Sequence, residues 1–511
     1  MRSALTPLRR VLAIGLLAML AYGALAACVD AVAAPAPAAP DSARIAIVVT
    51  DATALRAAPH VHASQQALLW SGDLLEVRAE RLDHLQVYDH ARERAGFVAA
   101  ARVRRLRLEP EQAPELLAVV RFLRETPGSE ALGIGYAAAW LRAASPAQLR
   151  GPEGAEALDA LGTFADRLAQ RSSANTAAGK AAQAAVAAHL EAAARHGIRF
   201  VGRERAGRVR LCYDGEAHAR VLALSATAEQ HARAALALTR PDCIDPDLGP
   251  TERRRDDEMR AALLERIDAA ALTPAWSGRV QMRRATVWSG LAYARAREGD
   301  VAAARAAARH AIDALAAVDR RELADDDVGA YADAAMRVNA SRWAASQPVA
   351  TGGPLALRTH AGAPGETCVA LVDVRREDAP LARRCTYAQV WPGSFSVNRE
   401  GSAGALAVQP TSTWRELWIF RKGGAGWHVE IVPPATSGPD VGYAEFAGWV
   451  PGGRQVLVAR ESRVDSRWRR SFEVVRLDDL ATERASADPV ALGPFQRWPD
   501  AGWKRESVAL R

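Results

Sequence analysis

The stretch LLEVRAERLDHLQVYDHARERAGFVAAARVRRLRL, Leu74–Leu108, decides how the chain begins to fold. Leu75 and Val77, then Leu85 and Val87, alternate with charged or polar neighbours. A repeat of two places alternate side chains on opposite faces of a strand, so each run reads as a strand with one buried face. Asp83, Asp89 and Gly96 interrupt the runs with residues that favour turns. Upstream, RIAIVVT (Arg44–Thr50) supplies another strand of the same kind. Residues 44–108 are therefore expected to form a small antiparallel barrel.

Four pieces of this region resemble the bacterial SH3 (SH3b) domain: ALRAAP (Ala54–Pro59), LWSGDLLEV (Leu69–Val77), LQVYD (Leu85–Asp89) and RAGFVAAARV (Arg94–Val103). In that family Leu-Arg-x-x-Pro opens a long loop, a glycine turns the chain into an apolar strand, and Gly-aromatic-Val begins the last strands. Many members carry an aromatic ahead of the third strand, where this chain has Leu85. The resemblance implies an SH3-like barrel that binds a peptide or peptidoglycan. Trp70 and Tyr88 are the candidate ligand-stacking residues, with core packing as the other reading of both. His60, His62, His84 and His90 also fall here, four of eleven histidines, and read as loop residues before metal ligands.

Ahead of the barrel, Arg2, Arg9 and Arg10 precede an apolar run, Val11–Ala27. About 17 residues is short for a spanning helix, which needs roughly 20. A basic start, an apolar middle and a small-residue end describe a secretory signal, residues 1–27. Leu25-Ala26-Ala27-Cys28 resembles a bacterial lipobox, in which cleavage precedes the cysteine and its thiol carries a diacylglycerol. Ordinary cleavage within Ala31–Ala34, and a retained anchor, are the alternatives. Val29, rather than an acidic residue, follows Cys28, which in lipoproteins favours the outer membrane over the inner. Residues 28–43 then form an Ala/Pro tether, extended and poor at packing.

The formal charge is +7, and the three signal arginines account for part of it, leaving +4. Both signs are mixed along the chain, which argues against a nucleic-acid partner. Five cysteines is an odd number for a secreted chain. With Cys28 lipidated, Cys212, Cys243, Cys368 and Cys385 remain, and four allow three pairings. Pairing neighbours, Cys212 with Cys243 and Cys368 with Cys385, keeps each bridge within one region. Four free buried thiols are the alternative. No CxxC occurs, so neither a redox motif nor a zinc knuckle is expected.

Residues 111–347 are alanine-rich, and alanine is the best helix former. PELLAVVRFLRET (114–126), GAEALDALGTFADRLAQ (154–170), KAAQAAVAAHLEAAARHG (180–197) and DEMRAALLERIDAAAL (257–272) carry apolar residues at helical spacing. His196-Gly197 reads as a helix stop, followed by a short β insertion. Arg253–Glu258 reads as the charged start of a helix. Trp288–Leu315 resembles a tetratricopeptide unit: Trp288, Leu291, Ala292, Gly299, Ala304, Ala308 and Ala311 match that family's spacing. It implies an α-helical hairpin turning at Gly299-Asp300.

Residues 354–511 hold eight of the thirteen tryptophans and many strand-like runs. FAGWVPGGRQVLVARE (446–461) resembles a repeat of TolB-like β-propellers, with a looser copy from Ser394 to Lys422. A partial propeller and a sandwich are both open, with Cys368 and Cys385 stapling the first hairpin. Trp414, Trp418 and Trp427 read as core before they read as a binding face.

The chain has no HExxH, Walker loop, GxSxG elbow or strand-borne GxGxxG. His428 and Glu430 share a strand face but lack the rest of a deaminase signature. The expectation is a multidomain α and β protein: a non-catalytic, lipid-anchored lipoprotein of a bacterial cell envelope, facing the periplasm, without cofactor or metal. Its partner would be a cell-wall peptide or glycan, or another envelope protein. A cell-wall hydrolase or amidase with an unrecognised site, and a structural assembly factor, are the rivals.

Overall fold

The computed structural model describes residues 45–174, 179–205, 207–346, 354–436, 440–464 and 467–506. The expected signal segment (1–27), Cys28 and the expected tether (28–43) lie outside the described residues. The chain is mixed α and β, with several separate sheets.

Seven strands come first: β1 (Ile45–Val48), β2 (Thr53–Arg56), β3 (Gln65–Leu69), β4 (Leu74–Arg81), β5 (His84–Asp89), β6 (Arg94–Ala99) and β7 (Val103–Leu106). They pair antiparallel in the order β3-β2-β6-β5-β4-β1-β7. Among the described residues the end strands β3 and β7 do not pair, so the expected barrel is an open sheet rather than a closed ring. Leu75, Val77, Leu85 and Val87 point into one core with Leu55, Val98 and Val103. Strand β1 is apolar throughout because both its faces are covered. Ala46 and Val48 join the sheet core, while Ile47 joins the helical core with Leu106.

The helices α1 (Ala113–Arg124), α2 (Glu130–Ala143), α3 (Pro146–Arg150), α4 (Pro152–Ala174) and α5 (Lys180–Arg195) lead to the hairpin β8 (Phe200–Arg205) and β9 (Arg208–Tyr213). Then follow α6 (Glu216–Val221), α7 (Ala228–Leu238), α8 (Pro250–Glu265), α9 (Pro274–Arg297), α10 (Val301–Ala316) and α11 (Asp325–Ser341). Helix α5 ends on His196, and Gly197 takes φ +85° there, a conformation glycine adopts without strain. The α9–α10 turn has Gly299 at φ +83° and the Asp300 carboxylate accepting from the Ala303 amide. Leu291, Ala292, Ala304, Ala308 and Ala311 are buried, and small residues let the two helices approach closely.

First sheet and helices share surfaces too tight for free domains. Gly72, at φ +94° in the β3–β4 turn, lies against α2, where a Cβ would sit 2.4 Å from the Ala131 carbonyl oxygen. Gly135 of α2 meets Ile47 and Gly72 in return. Polar bonds reinforce the seam. His189 Nε2 lies 2.9 Å from Asp51 Oδ1, and His196 Nε2 donates to the Gly72 carbonyl at 2.8 Å. Buried Asp73 pairs with both Arg195 and Arg92.

The remaining strands form three groups. β10 (Leu355–Ala361), β11 (Thr367–Asp373) and β12 (Ala382–Thr386) make a small sheet. β13 (Gln389–Val397), β14 (Ala403–Thr411), β15 (Trp414–Gly423) and β16 (Gly426–Val432) form one antiparallel meander. β17 (Val441–Val450), β18 (Gln455–Val464), β19 (Arg467–Arg476) and β20 (Thr482–Ser486) form a second. A short parallel pairing, Trp414 with Gly442 and Arg415 with Tyr443, joins the meanders. Short helices α12 (Gly493–Arg497) and α13 (Ala501–Glu506) pack Phe495 and Trp503 on Phe472, with ring centroids 5.5 and 6.3 Å away.

A buried ion triad fastens the helices to these strands. Arg342, just after α11, reaches Glu445 Oε1 at 2.5 Å, and Arg415 of β15 pairs with Glu445 Oε2. Arg415 also donates to the Asn339 carbonyl at 2.5 Å. All three charged side chains are at most 3% exposed. Burial works to raise the Glu445 carboxyl, but the two guanidiniums outweigh it and hold it below the usual range.

Glu461 is the opposite case. It faces Tyr443 across β17 and β18, and the Tyr443 hydroxyl donates to it at 3.0 Å. Burial pushes its carboxyl up to about 7 against that bond and Arg470. A carboxyl raised above its unfolded value leaves the folded state fully favoured only below that value. Stability is then lost as pH rises from about 4.5 to about 7. Glu461→Gln keeps an acceptor for Tyr443 and cannot ionise. It is expected to flatten the pH 5–8 dependence of Tm and to stabilise the chain at pH 8 by about 3 kcal/mol. A Glu461→Gln chain that keeps the parental pH profile would contradict this.

Candidate functional site

The structure does not bring the two aromatic candidates together. Trp70 sits at the seam with the helices, edge-on to His189 at 6.0 Å. Its backbone amide donates to Asp73. Tyr88 lies near the end of β5, with the Arg78 guanidinium 4.2 Å from its ring centre and His90 edge-on at 4.8 Å. Trp70 thus braces the seam, and Tyr88 is the one of the pair set among charged side chains of the sheet. The histidines scatter as well: His60 and His62 are exposed, His84 is buried beside Asp83, and His90 pairs with Glu76. Trp414 and Trp418 are buried in the third region. His428 is exposed, and Glu430 pairs with Arg421.

Two disulfides are present, Cys212–Cys243 and Cys368–Cys385. The first ties β9 to the turn at Pro241–Cys243. The second joins directly opposed residues of β11 and β12. It therefore staples the second hairpin of that sheet, not the first, because β10 precedes it as an additional strand. Glu366 lies close enough to both sulfurs to suggest a ligand cluster. Sulfurs joined to each other offer no thiolate to a metal, so the cluster is spent on the disulfide.

A cleft where the helices meet the strands has the most concentrated chemistry. It encloses about 530 Å³ and is walled by α8, α9, α11 and the β14–β15 turn. Arg253, Asp257 and Arg260 of α8 lie four and three residues apart, which puts them on one helix face. On α9 a polar stripe runs Arg279, Arg283, Thr286, Gly290, Tyr293, Arg297, again at alternating spacings of four and three. Arg337 comes from α11, and Ser412 and Thr413 from the turn. Arg260 reaches Asp257 at 2.5 Å and also the Thr239 carbonyl. Tyr293 donates to the Pro410 carbonyl at 2.8 Å, tying α9 to β14. Burial raises the Tyr293 phenol, so it stays a neutral donor. A second cavity of about 250 Å³ shares Thr286 and Pro241 with the first and adds Arg279, Arg283, Asp327 and Asp333.

From the sequence alone, none of these cleft residues stands out as a site. The α9 stripe is the signal that could have marked it, since a helix with apolar residues on several sides still reserves one row for arginine, threonine and tyrosine. Comparison with protein-family models, with curated proteins and with solved structures finds no match to this chain.

Proposed function

We propose that the chain is a non-catalytic, lipid-anchored binding and scaffolding protein of a bacterial cell envelope, held at the outer membrane and facing the periplasm. The observation that carries this reading is the cysteine count. Four of five cysteines stand in disulfides, which persist in oxidising compartments, and Cys28 is left for the lipid. In this reading the first sheet is an SH3-like module opened along one edge, and α9–α10 is a tetratricopeptide-like hairpin. The two meanders are propeller-like blades, four strands being the usual blade unit. The bodies act as one scaffold, since a shared core and the Arg342–Glu445–Arg415 triad resist their independent movement. The partner is a cell-wall peptide or glycan met at the Tyr88 side of the first sheet, or another envelope protein.

The test is co-sedimentation of the lipid-free chain with purified sacculi. Retention is expected, with Tyr88→Ala weakening it while the fold persists. No retention, or release of dye from labelled peptidoglycan by the chain itself, would reject the non-catalytic wall-binding reading.

A further inference from the structure

The larger cavity is lined by Arg253, Arg260, Arg297 and Arg337 against Asp257 and Glu298, and the smaller by Arg279 and Arg283 against Asp327 and Asp333. Glu298 is taken by Arg254 and Asp327 by Arg279. Asp257 is shared by Arg253 and Arg260, and Asp333 by Arg337 and Arg463. Arg297 spends its reach on the Tyr387 carbonyl. Arg283 has no carboxylate partner among the described residues. Its Nη1 donates to the Leu236 carbonyl at 2.9 Å and the Thr239 hydroxyl at 3.3 Å. The Thr239 carbonyl accepts from Arg260, so the end of α7 fixes both guanidiniums.

Arginines often close helix C-termini, and that role accounts for the Nη1 bonds. It leaves Nε and Nη2 of Arg283 without a hydrogen bond to any described residue, on a side chain that lines the smaller cavity. Burial, with Arg260, Arg240 and Arg337 nearby and Asp242 opposing, pushes the Arg283 guanidinium down to about 10. Such a cation is held at a cost that an anion would relieve. A guanidinium pinned through one nitrogen presents a fixed edge, suited to a two-point grip on an oxyanion. Thr286, one turn along α9, borders both cavities, and Ser289 and Thr413 line the larger one. Their hydroxyls donate to the Met282, Thr286 and Asp440 carbonyls, so toward a ligand they offer acceptors, and Arg283 is the donor.

We propose that the smaller cavity takes the carboxylate or phosphate head of a small organic anion, gripped by Arg283, with the body of the ligand past Thr286 in the larger cavity toward Ser289, Tyr293 and Thr413. The site is independent of the lipid anchor and of any wall contact, so it stands or falls on its own test.

The probes are inorganic phosphate and acetate, each titrated into the whole mature chain against chloride at matched ionic strength, with Tm and calorimetry as readouts. Phosphate or acetate, whichever head the site takes, is expected to raise Tm saturably where chloride does not. The preferred probe identifies the head. Arg283→Gln should weaken it by roughly tenfold or more, the loss of a charge-assisted bond. Arg454→Ala, in the separate groove of about 920 Å³ at the ends of the meanders, should change nothing. Should Arg283→Gln fail to fold, Thr286→Glu supplies the carboxylate from within, and it is expected to raise the basal Tm and abolish the probe's effect. Equal responses to all three salts, a folded Arg283→Gln chain that binds as the parent does, or a Thr286→Glu chain still responsive to the probe would overturn the proposal.

Discussion

Glu445→Ala is expected to lower stability by about 3–5 kcal/mol, the usual cost of removing one partner from a buried ion network. The reason is the company it keeps. Arg342 and Arg415 both face Glu445 with almost no access to water, and Arg415 is wholly buried. Deleting the carboxylate leaves the Arg415 cation in a medium that cannot solvate it. Arg415 retains the Asn339 and Ala340 carbonyls, which are dipoles and cannot replace a full charge. Because the triad bridges the region after α11 to β15 and β17, the loss should fall on coupling as well as on depth. Urea unfolding followed by tryptophan fluorescence should shift its midpoint down and separate into two steps, since most tryptophans lie in the strand region. A Glu445→Ala chain with an unchanged single transition would show that the triad does not join the two parts.

Cys28→Ala should move the protein from the membrane fraction to the soluble fraction almost entirely. One acyl chain binds a bilayer only marginally, while two hold it stably, at about 0.8 kcal/mol for each buried methylene. A diacylglycerol supplies two. Among the described residues no helix is long and apolar enough to cross a membrane. On the proposed reading the mature chain is held by that single thiol. Fractionation after a high-salt wash checks this. Retention of Cys28→Ala in washed membranes, with its signal segment removed, would point to another means of attachment.

The residues differ in how openly they announce their place. Strands β4 and β5 are legible because one face of each packs inward, so Leu75, Val77, Leu85 and Val87 repeat every second residue. Helices α4 and α5 are legible for the parallel reason, at helical spacing. Helix α2 is not. Eleven of its fourteen residues are buried, including Gly133, Gly135 and Trp140, and a helix covered on every side has no polar face to give it a period. The seam is hidden too, since Gly72 and Asp73 look like an ordinary turn until α2 and α5 are laid over them. Trp70 is legible as an important aromatic but not in its role, because its neighbour His189 lies more than a hundred residues away. The cleft is hidden because Arg260 and Arg283 meet only through the end of α7. Arginine is so common in this chain that two more carry no signal.

On the proposed reading the mature protein is a disulfide-bonded body tethered by lipid outside the cytoplasm. Intact-mass analysis of the native chain, unreduced and then reduced, tests it most directly. The expected result is a chain beginning at Cys28, heavier by a diacylglycerol, that gains four hydrogen masses on reduction. A native chain that starts beyond residue 28 with no acyl mass, or one that still carries its first 27 residues, would contradict it.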